Sequence, residues 1–180
     1  KTKAAMEYGQ VRAVLDLIHR GTGGVTVAGG IQCSATGNTL FVLSKNEETK
    51  PWSVPLRLPE THLPDGRTLI VRPIPFETKN PYKINDLLFN NRINYATILN
   101  TNSVVRSRRP GDVFRPAGRG ITKTLKKLFN EQKIPPFRRD RIAMLECGGT
   151  VLWIEGIGAS REAAITEQTP APAEIIMRES

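Results

Sequence analysis

Two cysteines and two histidines are all that the 180-residue chain offers as soft or imidazole ligands. Cys33 and Cys147 stand far apart, outside any repeated Cys/His spacing, which excludes a disulfide framework or zinc knuckle and predicts two reduced thiols. His19 and His62 are equally isolated, and no Ser/His/Asp or Cys/His set has local support, so neither a catalytic residue nor a metal ligand is expected. No apolar run approaches the roughly 18 residues of a membrane span. The N-terminus, Lys1-Thr2-Lys3-Ala4-Ala5, leads into an amphipathic pattern rather than a signal-peptide core. A cytoplasmic protein is expected, and no internal repeat is visible. The composition, 39% hydrophobic and 24% charged, is that of a chain able to bury a core.

The formal net charge of +9 has one address. Between Val104 and Arg141 lie twelve basic residues, Arg106, Arg108, Arg109, Arg115, Arg119, Lys123, Lys126, Lys127, Lys133, Arg138, Arg139 and Arg141, against three acids, Asp112, Glu131 and Asp140. The remaining 142 residues hold fourteen basic and fourteen acidic groups. Such a segment on a balanced background is the electrostatic footprint of a polyanion partner. Arginine outnumbers lysine in it, and its planar fork suits phosphate, so all twelve are candidate nucleic-acid-binding residues. Asp112 and Asp140 are expected to orient neighbouring arginines.

Apolar spacing at Val11, Val14, Leu15 and Ile18 predicts a first helix with one buried stripe, ended by Gly21-Thr22-Gly23-Gly24. That glycine turn closes a helix rather than opening one and lacks Gly-Lys-Ser/Thr, so it reads as structural. From Val25 to Ile74, short β-prone runs separated by Gly29-Gly30, Gly37-Asn38 and Asp65-Gly66 predict a small antiparallel sheet. A short helix is expected at 84–91, and a polar break near 99–103 sets a domain boundary. A second helix is expected over 122–132, with Ile121, Leu125, Leu128 and Phe129 on its packing face and lysines opposite. Gly118-Arg119-Gly120 just before it could gather backbone N–H groups and a helix N-terminus onto a phosphate, or form a plain turn with a cap. Gly148-Gly149 predicts a tight hairpin that puts Trp153 in a strand. Trp52, Trp153 and Phe137 could stack on bases, although the run Val151-Leu152-Trp153-Ile154 favours a core place for Trp153.

The expected fold is α+β, with two small domains, each a short antiparallel or mixed sheet carrying one or two helices. These are residues 1–101, a basic domain at 102–166, and a tail at 167–180, Pro/Ala-rich from Glu167 to Ala173 and then strand-like at Ile175-Ile176-Met177. Three functional classes fit: an RNA-binding part of a larger enzyme, a stand-alone RNA-binding module, and a domain whose basic face meets an acidic protein.

Ordered motifs narrow the choice. Arg106-Ser107-Arg108-Arg109-Pro110-Gly111-Asp112, Phe114-Arg115-Pro116 and Lys123-Thr124-Leu125-Lys126-Lys127-Leu128-Phe129 are followed by Lys133-Ile134-Pro135, Arg139-Asp140-Arg141 and Val151-Leu152-Trp153-Ile154 to Gly156. In this order they resemble the C-terminal domain of bacterial tRNA(Ile)-lysidine synthetases. The preceding hundred residues, through Asn94-Tyr95-Ala96-Thr97-Ile98, resemble the family's first C-terminal domain. The resemblance implies the tRNA-recognising part of a ligase that joins lysine to the wobble cytidine of an isoleucine tRNA. ATP and magnesium serve an N-terminal domain whose Ser-Gly-Gly-x-Asp-Ser loop does not occur in this sequence. It further implies that Arg108, Arg109, Lys123, Lys126, Lys127, Arg139 and Arg141 grip the tRNA acceptor stem, that the N-terminal catalytic domain is a partner, and that this portion alone is inactive. A homodimer is left open. Val113 stands where the family often has arginine, and Asn94 and Ala96 where it often has aspartates.

Overall fold

The chain is described by a computed structural model over residues 6–43, 50–74, 91–99, 102–166 and 168–179. It is α+β, with few helices and several short antiparallel sheets.

Helix α1 spans Tyr8–Arg20. It starts where the Glu7 N–H donates to Gln10 Oε1 at 3.2 Å, and stops at Gly21, whose φ of 63° places it in the left-handed region. Glycine suits that backbone, and a Cβ there would also come within a tight 3.3 Å of the Gly37 carbonyl oxygen. Strands β1 (Thr22–Val27), β2 (Ile31–Thr36) and β3 (Thr39–Leu43) form an antiparallel meander against α1. Leu17, Val27, Cys33 and Ala35 make its core, with Val14, Val25 and Ile31 packed around them. The helix is rotated from its expected setting. Val11, Leu15 and Ile18 are 42%, 50% and 47% exposed, because a three-stranded meander is covered by the narrower Val14/Leu17 edge.

The second body begins with β4 (Ser53–Pro55), β5 (Glu60–His62), β6 (Thr68–Pro73), β7 (Arg92–Asn94) and β8 (Ser103–Arg106). Next come β9 (Val113–Phe114), β10 (Lys123–Thr124), α2 (Leu125–Glu131) and α3 (Pro136–Arg139). Strands β11 (Met144–Cys147), β12 (Thr150–Ile154), β13 (Gly158–Ala159) and β14 (Pro172–Arg178) complete it. One sheet has the order β13-β12-β11-β8-β4 and another the order β5-β6-β14-β7. Between them lies a core that includes Leu69, Val71, Ile93, Leu145, Trp153 and Ile175. Alternation along β11 and β12 turns Met144 and Ile154 to the opposite face, where they meet Phe114, Leu125, Leu128 and Phe129.

Three expectations change. The runs between residues 25 and 74 do not make one sheet: β1–β3 pair together, β4 joins β8, and β5–β6 join β14. The boundary at 101/102 falls between residues that share a sheet and a core, since β4 hydrogen-bonds to β8 and Ile93 packs with Trp153. The strand-like run Ile175-Ile176-Met177 is indeed a strand, but it begins already at Pro172 and lies between β6 and β7, anchored by buried Ala173 and Ile175, so the expected tail belongs to the fold. The helix expected at 84–91 lies, but for its last residue, outside the described residues. The hairpin at Gly148-Gly149 joins β11 to β12, and Trp153, 1% exposed, is core rather than a stacking platform.

Candidate nucleic-acid interface

Two short pieces of backbone pairing hold the basic segment. Strands β9 and β10 form a ladder that returns the 115–122 loop onto α2, and the Leu125 N–H donates to the Asp112 carbonyl at 3.0 Å. The Thr124 hydroxyl caps the helix by accepting from the Lys127 N–H at 3.4 Å. Removing that cap by Thr124→Ala is expected to lower stability by about 1 kcal/mol, measured as a shift of the urea midpoint at constant slope. Leu125, Leu128 and Phe129 are buried, so Lys126 and Lys127 must point outward. Ile121, expected on the packing face, is 67% exposed, since the helix starts only at Leu125. For the same reason Gly118-Arg119-Gly120 is a loop between β9 and β10 and opens no helix. The plain-turn reading holds, with Gly118 at φ 71°.

The structure divides the twelve candidate cations. Arg106 is 1% exposed and belongs to the interior. Its two terminal nitrogens donate to the two Asp112 carboxylate oxygens at 2.9 Å each, and its Nε to Glu146. Burial opposes charge on Asp112, but hydrogen bonds from Arg106 and from the Arg109 N–H prevail and hold its carboxyl below the ordinary carboxylate range. An arginine inside the protein cannot meet a surface phosphate, so Arg106 leaves the candidate set; its position stabilises the turn that carries Arg108 and Arg109. Arg108 pairs with Asp140 at 2.6 Å, and half-exposed Arg109 reaches Glu146 at 3.4 Å. Lys123 pairs with Glu131, which that bond holds below its ordinary pKa range. Arg115 is half-buried, and its Nε is buried without a hydrogen-bond partner among the described residues.

Arg139 lies across the end of α2. It donates to the Ile134 carbonyl at 2.9 Å and to Asn130 Oδ1 at 2.7 Å, with its guanidinium 6.0 Å from the centre of the Phe129 ring. Burial and nearby Arg108 lower its pKa from the usual arginine value. Half-buried Arg141 follows, its carbonyl held by Arg67 at 2.5 Å, while Arg67 also binds Glu155 at 2.7 Å. Nothing in the sequence signalled Arg67 as a positioning residue, because its partners lie 74 and 88 residues away. Arg119, Lys126, Lys127 and Lys133 are exposed and make no ion pair among the described residues. Exposed Arg138 makes no ion pair among them either, and its guanidinium lies 6.0 Å from the centre of the Phe41 ring. These five are the most available cations of the segment.

No three His, Cys, Asp or Glu residues converge among the described residues, and no helix there is long and apolar enough to cross a membrane. Fold and surface thus define a small α+β module that presents a cationic helix and turn.

Residues 104–173 match the family model of the TilS substrate C-terminal domain. The tRNA(Ile)-lysidine synthase of Persephonella marina is 25% identical over 170 residues, 93% of this chain and 38% of that protein. That of Coxiella burnetii is 40% identical over 65 residues, covering 36% of this chain and 14% of its own. A crystal structure of a TilS C-terminal domain superposes with a TM-score of 0.57 at 27% identity, covering 72% of this chain and 98% of the other. Over residues 104–173 the chain thus matches the TilS C-terminal family model, and over most of its length it is similar to tRNA(Ile)-lysidine synthases. It spans little more than a third of the Persephonella relative's length. Asn94, where the resemblance expected aspartate, accepts from the Ala96 N–H at 3.2 Å and caps a 3₁₀ turn, a role either side chain performs.

Proposed function

We propose that this chain holds tRNA for a tRNA(Ile)-lysidine synthase, a cytoplasmic ligase that uses ATP to join lysine to the wobble cytidine of an isoleucine tRNA. The observation that carries this is the exposed set Arg119, Lys126, Lys127, Lys133 and Arg138, without an ion pair among the described residues and inside the segment that matches the family model. Packing of Leu125, Leu128 and Phe129 fixes the outward setting of Lys126 and Lys127, which are thereby preset for a phosphate backbone. The acceptor stem is the duplex it suits. An RNA helix has a major groove too deep and narrow for side chains, so grip comes from shape and phosphate.

Among the described residues no three carboxylate, histidine or cysteine ligands stand together for magnesium. The carboxylates are dispersed or committed to arginines, and neither glycine turn, at 21–24 or at 118–120, runs directly into a helix. No step of the ligation is therefore assigned to them, and the N-terminal catalytic domain is the partner that performs it. The collinear match over 93% of the chain to a single synthase favours this over a stand-alone RNA-binding module.

Binding to an acceptor-stem minihelix over a salt series tests the reading. If about six phosphates are neutralised, affinity is expected to fall by about 10³ between 50 and 200 mM salt. A flat salt response in a folded chain would refute it. Lys133 offers a separate check, because its φ of 53° is a left-handed conformation that costs a non-glycine residue about 1 kcal/mol. Lys133→Gly is expected to raise thermal stability while weakening RNA binding.

A further inference from the structure

Strand alternation gives the small lobe a second, polar face. Val25, Val27, Ile31, Cys33 and Ala35 pack toward α1, so Thr22, Gly24 and Thr26 of β1, with their partners Thr36, Ser34 and Gln32 of β2, share the other side. None of these six is apolar. They floor a cleft of about 970 Å³, roofed by the Asn130–Arg139 turn. This is at the upper end of the size of ordinary ligand pockets, roughly 300–1,000 Å³. Phe137 of the roof rests against Phe41 of β3, ring centres 5.2 Å apart, so the two bodies meet at one end of the opening.

The charge is one-sided. No residue lining the cleft is acidic, and the sequence from Gly21 to Lys45 contains no aspartate or glutamate at all. Its cations are Lys133, exposed, and Arg139, half-buried. Hydroxyls of Thr22, Thr26 and Thr36 and the Gln32 amide can donate to phosphate and ribose oxygens, while glycine at position 24 lets a ligand approach the backbone. Among the described residues strand β1 is also an edge, pairing with β2 alone. Such a floor can follow a sugar–phosphate chain, while Ile134, Pro135, Pro136 and Phe137 of the roof offer apolar surface to the bases.

We propose that this cleft seats an unpaired RNA strand continuous with the duplex gripped by α2. The proposal rests on the tRNA-holding function above and adds the small lobe to it. Lys133 belongs to the turn that roofs the cleft and lies two residues past the end of α2, so a strand leaving the duplex meets a further cation at the entrance of the cleft. The cleft is bounded on two sides by the separate bodies, which suits a single strand better than a double helix.

The test compares a blunt RNA hairpin with the same hairpin carrying an unpaired extension of about four nucleotides. The full chain is used, with fluorescence anisotropy as readout. Wild type is expected to bind the extended RNA about tenfold more tightly, on the scale of a phosphate contact or two. Thr22→Glu/Thr26→Glu, on exposed strand positions, should abolish that gain and leave blunt-hairpin binding unchanged. Thr22→Gln/Thr26→Gln, of equal size without charge, should retain it. Lys126→Ala/Lys127→Ala should weaken both RNAs alike. An extension that adds nothing in wild type, or a gain that survives the glutamates, overturns the cleft proposal while leaving duplex binding standing. Binding of neither RNA overturns both.

Discussion

Reversing the charge of two neighbouring side chains, Lys126→Glu/Lys127→Glu, is expected to reduce affinity for an acceptor-stem RNA by about 100-fold near 0.1 M salt. The same change should lower the slope of log K against log salt by about 2. Both residues are exposed and carry no ion pair among the described residues, so little else is lost. Folding should be nearly indifferent. Acidic residues in a first helical turn interact favourably with the helix dipole, while a glutamate at 127 faces Glu131 one turn on, and these effects of a few tenths of a kcal/mol oppose each other. Arg12→Glu on α1, equally exposed but outside the segment, is the matched control. Equal losses from the control and the double variant would mean a diffuse electrostatic effect rather than a grip by α2.

The second large effect is structural. Asp112→Ala removes the carboxylate that meets Arg106 at two points and leaves a guanidinium 1% exposed with Glu146 as its remaining acidic partner. A buried pair broken on one side typically costs about 3–5 kcal/mol, enough to unfold much of a marginal domain. Replacing the group together, as Arg106→Met/Asp112→Leu/Glu146→Gln, is expected to recover most of that loss, because no buried charge is then stranded. Urea denaturation measures both. A shift within about 0.5 kcal/mol for the single variant, the size of a surface substitution, would show that Arg106 finds another route to solvent.

The same pair gives a pH dependence with a definite sign. The folded Asp112 carboxyl lies below its ordinary value of 3.8, so the folded protein holds fewer protons there than the unfolded chain. Its stabilisation is complete above about pH 4 and lost as pH falls through the lower, folded value. Asp112→Asn should flatten that part of the acid limb, and an unchanged profile would assign the limb to other carboxylates.

Much of this was legible in the sequence where the chemistry is local. Gly21, Gly37-Asn38, Asp65-Gly66 and Gly148-Gly149 marked turns because few other residues adopt the backbone they need, and the strand positions between them followed from short β-prone runs. The ordered motifs from Arg106 to Gly156 carried the family resemblance, and the clustering of twelve basic residues located the candidate surface. Asp112 and Asp140 do hold arginines, as expected.

Sequence alone determined the fold class, the polyanion signature and the family resemblance, since composition, charge and motif order are properties of the chain itself. Only the tertiary structure decided which strands share a sheet, that residues 172–178 are paired on both sides, and that β4 crosses to β8. Pairing between distant segments depends on how complete faces bury one another, which no local window contains. It also decided the fate of individual cations. Arg106 and Arg108, two residues apart with the same side chain, end as a buried strut and a surface ion pair, because strand alternation stops between them and the turn held by Asp112 begins.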